Sequence, residues 1–143
     1  MNTNKFLIGG IIGGIANFLL GWLVWGMMLK NFMAENAGSA TGVMKADSEV
    51  VMWALIVGSL LGGFMISYVL SKAGATSASS GAGVGAVIGL LVAASYDFTM
   101  YGVTNLMNVT GALVDICAST VVTAIIGAIV GWYLGMGKKV AVA

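Results

Sequence analysis

Long runs of apolar residues, separated by short polar stretches, dominate the chain. A helix of about 20 apolar residues spans the hydrocarbon core of a bilayer with its backbone hydrogen bonds satisfied internally. None of the runs alternates polar and apolar residues as the strands of a membrane barrel do. The pattern predicts an all-α fold, a bundle of four transmembrane helices forming one integral membrane domain over residues 1–143. The four runs are Phe6–Leu29, Val50–Leu70, Gly81–Tyr101 and Ala112–Leu134.

The composition agrees with lipid as the surrounding medium. Of the 143 residues, 59% are hydrophobic and 8% charged, whereas about 25% of the residues of a soluble domain are charged. The net charge is +1 and the chain has no arginine, so nothing predicts a nucleic-acid partner. Histidine is absent and Cys117 is the single cysteine, which removes the commonest general base, the commonest metal ligand and any internal disulfide. The sequence therefore predicts a non-enzymatic protein with no cofactor and no metal site.

The lysines set the expected orientation. Four fall on one side of a four-helix topology and two on the other, and the positive-inside rule then places both termini in the cytoplasm. Residues 30–49 form the one long loop, on the outer side, and Trp22, Trp25 and Trp53 are expected at the outer membrane interface. The two groups of lysines are Lys5, Lys72, Lys138 and Lys139 against Lys30 and Lys45.

Glycines recur at four-residue intervals in every apolar run. Apolar burial does not drive helices together in lipid, so small residues that allow close approach take that role. The rows predict glycine-zipper packing, either with another helix of this chain or with a second copy. They are Gly9 and Gly13; Gly58 and Gly62; Gly81, Gly85 and Gly89; and Gly127, Gly131 and Gly135.

Two of these rows end in an aspartate. The third row continues at the same spacing through Ala93 to Asp97. The fourth row, extended toward the N-terminus through Thr123 and Ser119, reaches Asp115. If the two carboxyl groups converge, with Tyr96 and Asn105 nearby, they would hold a proton or a cation between them. Alternatively, each lies near the end of its helix, where water and headgroups reach it and the helix dipole favours Asp115. The shallow depth favours this second interpretation.

Two further polar features fall on or beside the predicted helices. Asn17 lies near the middle of the first helix and is expected to point at protein, where its amide finds a hydrogen-bond partner. The N-x-T pattern at 108–110 is interpreted as a turn, with Thr110 as the N-cap of the fourth helix.

Two stretches of the chain resemble the uncharacterised small four-helix membrane proteins of bacteria, of the Bacteroidetes-type domains of unknown function. They are NFLLGWLVWGMMLKNFM at 17–33 and YDFTMYGVTNLM at 96–107, the latter followed by GALVDICASTVVTAIIGAIVGWYLG. The resemblance implies a protein of the bacterial cytoplasmic (inner) membrane and carries no catalytic residues.

Together these features predict a membrane subunit that contacts lipid and self-associates as a homo-oligomer or binds another membrane protein. The alternative is a small oligomeric proton or cation transporter or channel that uses Asp97 and Asp115.

Overall fold

The computed structural model describes residues 2–137, which fold into four long helices, one short α-helix and a 3-10 turn at Asp47–Glu49, with no β-strand in that range. The four long helices are long and apolar enough to cross a membrane. This confirms the predicted all-α fold with four helices able to span a bilayer, and it fits a multi-pass membrane protein. Helix α1 spans Thr3–Gly21 and continues as a π-helical stretch, Trp22–Met28; α2 spans Lys30–Glu35, α3 Met52–Ala73, α4 Ala78–Val103 and α5 Val109–Gly135.

Helices α4 and α5 begin earlier than the apolar pattern predicts, because polar side chains cap them. Ser77 and Ser80 exchange side-chain to backbone hydrogen bonds of 3.1 Å at the start of α4. Asn108 Oδ1 accepts a 2.8 Å bond from the backbone N–H of Gly111 at the start of α5. Such bonds satisfy N–H groups that have no partner within the helix. The N-cap predicted at Thr110 is therefore wrong, and Thr110 lies inside α5.

The long helices form two antiparallel hairpins. Helix α1 packs mainly against α3 and α4 mainly against α5, while α1 and α5 join the two hairpins and α3 and α4 make few contacts. Lys5 Nζ donates to the carbonyl oxygens of Leu134, at 3.1 Å, and Met136, so both ends of the described chain lie at one end of the bundle, here called the terminal end. Lys138 and Lys139, on which the predicted orientation partly rests, lie outside the described residues.

The opposite end, here called the loop end, is closed by contacts between the long loop and the α4–α5 turn. The backbone N–H of Ala40 donates to the carbonyl of Asn105 at 3.0 Å. Asn108 donates to Asn36 twice, from its backbone to the Asn36 carbonyl at 3.0 Å and from Nδ2 to Oδ1 at 3.1 Å. A Cβ added at Gly38 would lie closer than 3.0 Å to the Asn105 carbonyl, so only glycine allows this approach.

Helices α4 and α5 approach each other backbone to backbone along their small residues. A Cβ added at Gly81 would lie closer than 3.0 Å to the carbonyl oxygen of Gly127, and one at Gly85 would meet that of Thr123 equally closely. Since backbone atoms cannot rotate away as side chains can, neither position accommodates a side chain unless the helices separate. The face of α4 buried in this way comprises Gly81, Gly85, Gly89, Ala93 and Asp97.

Helices α1 and α3 meet through a glycine other than those in the predicted row. A Cβ added at Gly63 would lie closer than 3.0 Å to backbone atoms of Gly10 and Gly14, whereas one at Gly58 would have no atom within 4 Å. Gly58 thus faces away from the other helices of this chain, and its packing against a second copy stays a prediction. Which glycine of α3 meets α1 depends on the way in which the two helices cross.

The main apolar cluster lies between the hairpins, weighted toward the terminal end. Leu70 and Val130 are fully buried and Ile126 is nearly so. Toward the loop end the space between α3 and α4 is instead left open, and polar side chains lie behind it. The cluster comprises Ile66, Leu70, Ala75, Val122, Ile126, Val130 and Leu134.

Candidate functional site

Asp97 lies inside the bundle, on the face of α4 that packs against α5. Its side chain is only 2% exposed, and it sits six residues before the last residue of α4, about 9 Å along the helix axis. Its Oδ2 atom is buried and has no hydrogen-bond partner among the described residues. The interpretation in which water and headgroups solvate this carboxylate is therefore wrong for Asp97, because its row of small residues faces α5.

Asp115 approaches Asp97 from α5. Both side chains line one cleft, close enough for their charges to interact. Asp115 is half-buried and accepts two hydrogen bonds, from Trp25 Nε1 to Oδ1 at 2.5 Å and from Ser119 Oγ to Oδ2 at 3.5 Å. Donors around Asp115 stabilise a negative charge there, whereas the buried Asp97 Oδ2 has none.

The π-helical stretch of α1 carries Trp25, the residue that reaches Asp115. The backbone N–H of Leu29 donates to the Val24 carbonyl at 2.7 Å, five residues back, which is the π-helical spacing. This winding changes the direction in which side chains leave the helix, and such stretches are frequent at functional sites. The position of Trp25 at the membrane interface stays a prediction, and its indole nitrogen points into the protein, toward Asp115.

A cleft of about 250 Å³ extends from the two aspartates toward the middle of the helices. Four long helices contribute to it, and its mouth lies between α3 and α4. At the mouth, Met65, Val92 and Tyr96 are 43%, 54% and 60% exposed. The polar side chains that line the cleft are Asn17, Tyr96, Asp97, Asp115, Ser119 and Thr123.

Asn17 forms the part of the cleft wall that α1 contributes. Its Nδ2 donates a 3.3 Å hydrogen bond to the carbonyl oxygen of Ser59, so the amide points at protein as expected. A Cβ added at Gly62 would lie 2.7 Å from that same Nδ2 atom. Gly62 therefore provides the space that the amide occupies.

The structure brings together four of the five polar residues singled out in the sequence. Asn17, Tyr96, Asp97 and Asp115 all line the cleft. Asn105 does not: it lies in the α4–α5 turn, where its carbonyl bonds the loop. Its proximity to Asp97 in sequence was misleading because α4 ends between them, at Val103.

Three further residues of the site, Ser119, Thr123 and Trp25, were not predicted as site residues, although each lies in a four-residue row with one that was. Ser119 and Thr123 follow Asp115 at four-residue spacing, and Trp25 lies eight residues after Asn17, two steps of the same spacing. Residues four apart share a helix face, so both rows pointed to one surface. The hydrogen bond between Trp25 and Asp115 depends on the π-helical winding, which no sequence pattern indicated.

The donor set of the cleft consists of oxygen atoms from carboxyl, hydroxyl and amide groups. Within residues 2–137, no group of three or more His, Cys, Asp or Glu side chains is placed to hold a metal ion. Two carboxyl groups in contact can share a proton or hold one positive charge between them.

No family model, no curated protein and no solved structure matches the chain. The resemblance to the small four-helix bacterial membrane proteins thus stays a prediction, and the role of each residue rests on the geometry alone.

Proposed function

We propose that the protein is a small proton or cation transporter or channel subunit whose binding pair is Asp97 and Asp115. The observation that carries the proposal is the buried Asp97 carboxyl, with Oδ2 unpartnered, against a second carboxyl. Two ionised carboxylates in this position would be costly, and a proton or a cation between them offsets that cost. Ionisable residues inside membrane helices commonly mark ion pathways and proton relays.

The two carboxyl groups have different roles in this proposal. Asp115 is the fixed negative charge, held by Trp25 and Ser119. Asp97 is the exchanging group, since no donor competes for its Oδ2 atom. Binding and release at Asp97 then alternate while Asp115 keeps its hydrogen bonds.

The hairpins are the units that would move around the cleft. The glycine rows of α4 and α5 act as a zipper that makes this hairpin rigid, and α1 packs against α3 through Gly63. Few contacts join α3 to α4, so a change in their separation costs little packing. A small relative motion would open or close the cleft.

The proposed location is the cytoplasmic membrane of a bacterium, with both termini inside. Lys5 and Lys72 lie at the terminal end, which supports its cytoplasmic placement under the positive-inside rule. The loop 30–49 would then face outward and the mouth of the cleft would lie in the outer half of the bilayer.

Self-association or binding of a partner membrane protein is a second candidate, favoured by one observation. Every residue of 51–58 is exposed, whereas the rest of α3, beyond residue 58, includes the buried residues Gly63, Ile66, Ser67 and Leu70. Helices in lipid are stabilised by close packing against other helices, and this segment has little of it within the chain. A second copy packed near Gly58 would supply such contacts. Native mass in mild detergent tests this: a strict monomer contradicts it.

Flux in proteoliposomes tests the transport proposal. The full chain is reconstituted in vesicles that enclose a pH-sensitive dye, and a sodium or potassium gradient is imposed. Wild-type protein is expected to move protons, and Asp97→Asn to abolish the movement. Asp47→Asn is the matched control, because Asp47 is an exposed loop residue paired with Lys30 at 3.2 Å. Equal flux from wild type and Asp97→Asn, at equal protein content, would contradict the proposal.

A further inference from the structure

The cleft that ends at Asp97 and Asp115 opens sideways, toward the surface that faces lipid. Helices α3 and α4 make few contacts, and the exposed side chains at the gap are Met65, Val92 and Tyr96. A molecule that reaches the carboxyl groups through this gap passes apolar side chains first. The mouth therefore admits apolar molecules from the bilayer.

The chemistry of the cleft changes with depth. Toward the mouth its lining is mainly apolar and includes Met65, Ile66, Ile88 and Val92. Its inner end presents the two carboxyl groups, one of them with a buried, unpartnered oxygen. A site with apolar walls and a few convergent polar groups is the usual form of a small-molecule site.

The charge of the cleft is negative and uncompensated by the protein. None of the lysines is among its lining residues, and the ion pair in the described chain, Lys30 with Asp47, lies in the loop. The titratable groups that face the cleft are Tyr96 and Asp97 from α4 and Asp115 from α5, while α1 and α3 contribute none. A positive charge is the complementary occupant.

We infer that the cleft binds a small organic monocation with an apolar body, a protonated or quaternary amine, which enters from the membrane between α3 and α4. Its ammonium group lies at Asp97 and Asp115, and its apolar body lies between Met65, Val92 and Tyr96. This substrate class rests on the proposed function, because it uses the same pair. A volume of about 250 Å³ is below the roughly 300–1,000 Å³ of sites for drug-sized ligands, so a body of one ring is expected.

Binding exchanges one positive charge for another. A proton held between the two carboxyl groups leaves to solvent as the ammonium enters, so the charge of the site, counted as the two carboxyl groups with their bound cation, is unchanged. One proton is therefore released for each monocation bound. A permanently charged quaternary amine shows this release clearly, because it carries no exchangeable proton of its own.

The test uses the full chain in lipid nanodiscs and radiolabelled benzyltrimethylammonium as the probe. Neopentylbenzene, the neutral carbon isostere, and sodium ions serve as competitors. We expect saturable binding with release of one proton, no displacement by the isostere, and weak displacement by sodium. Asp97→Asn and Asp115→Asn should each weaken binding by roughly thirtyfold or more, as for other buried charge pairs that lose one partner. Asp47→Asn should bind as wild type does.

A second variant tests the lateral route without altering either carboxyl group. Val92→Trp enlarges a side chain that is 54% exposed at the mouth, so the fold tolerates it while the gap narrows. Binding of the probe should fall at least about tenfold, as a pocket overfilled by an aromatic ring loses its ligand contacts. The association rate of the probe should fall as well, and an unchanged association rate in Val92→Trp would overturn the lateral entry.

The remaining outcomes separate this inference from the proposed function. Displacement by the isostere as effective as by unlabelled probe would show an unspecific apolar groove and overturn the inference. No binding of the probe, together with proton flux that Asp97→Asn abolishes, would overturn the amine class and leave the proton site standing. Binding that needs both aspartates, with no flux from wild type, would support the amine site and contradict transport.

Discussion

Trp25 in α1 and Asp115 in α5 join the two hairpins at the level of the cleft, through a 2.5 Å hydrogen bond from the indole Nε1 to Oδ1. This bond links α1 to α5, and these two helices contact each other less than the two helices within each hairpin do. It also makes the carboxyl pair unequal, since Asp115 has donors where Asp97 Oδ2 has none. One contact thus serves both the assembly of the bundle and the electrostatics of the site.

Trp25→Phe removes the donor and keeps a smaller aromatic ring against the apolar cluster. We expect the free energy of unfolding to fall by roughly 1–2 kcal/mol, the range for a hydrogen bond to a charged group within a membrane protein. Chemical denaturation in detergent, followed by circular dichroism, measures the change. Trp53→Phe is the matched control because Trp53 is 70% exposed. Equal effects of the two substitutions would argue against a role for the Asp115 bond.

Gly81→Ala tests the close approach of α4 and α5. The added methyl group would meet the carbonyl oxygen of Gly127, which cannot rotate away, so we expect a loss of roughly 1–3 kcal/mol in unfolding free energy, as for other overpacked positions. Gly83→Ala, two residues along the same helix, is the control, since nothing lies within 4 Å of a Cβ there. That variant should be neutral or slightly more stable because alanine favours helix. Similar stability of both variants would refute the packing described for this hairpin.

Gly62→Ala tests the space beside Asn17. The new methyl group would lie 2.7 Å from Asn17 Nδ2, so the amide must move into the cleft and lengthen its bond to Ser59. We expect weaker binding of the organic monocation with the bundle still folded, measured on the same nanodiscs. Gly58→Ala, one helical step away, adds the same methyl group into open space. It should bind as wild type does, and an equal loss in both variants would contradict the placement of Asn17.

Asn36→Ala tests the attachment of the long loop to the α4–α5 turn. The substitution removes the side-chain bond from Asn108 Nδ2. The free energy of a local opening depends on the contacts that it breaks, so we expect the loop to open more often. Hydrogen exchange at the backbone amides of Gly38 and Ala40, both bonded to the turn, should become faster. Asn31→Ala, at an exposed position, should leave their exchange unchanged. Slower or unaltered exchange in Asn36→Ala would show that the backbone bonds alone hold the loop.

The fold followed from the sequence because lipid leaves few alternatives. Apolar runs of the right length satisfy their backbones only as helices, and the row from Gly81 to Asp97 indicated the face that is buried. The sequence did not predict that α1 contacts Gly63 or that Gly58 lies in the open. Which glycine of α3 lies against α1 depends on the way in which the two helices cross. Helix ends were also misjudged where Ser77 and Asn108 provide caps outside the apolar runs.

The site was only partly predictable for a related reason. Depth along the helix suggested that Asp97 is solvated, whereas the direction of its face decided the outcome: it points at α5 and is 2% exposed. Four-residue spacing grouped Asp115 with Ser119 and Thr123, and Asn17 with Trp25. It could not indicate the hydrogen bond from Trp25 to Asp115, which forms from the π-helical stretch. Sequence periodicity indicates which residues share a face of one helix, whereas the cleft depends on how four helices pack together.

The central claim is that Asp97 and Asp115 act as one unit, and proton flux through the two single variants and the double variant tests it most directly. Flux is measured in proteoliposomes for wild type, Asp97→Asn, Asp115→Asn and the variant carrying both changes, with Asp47→Asn as the control. Residues that act together give strongly non-additive effects, so each single substitution should abolish flux and the double one should lower it no further. Single variants that each retain partial flux, with losses that multiply in the double variant, would contradict a shared site.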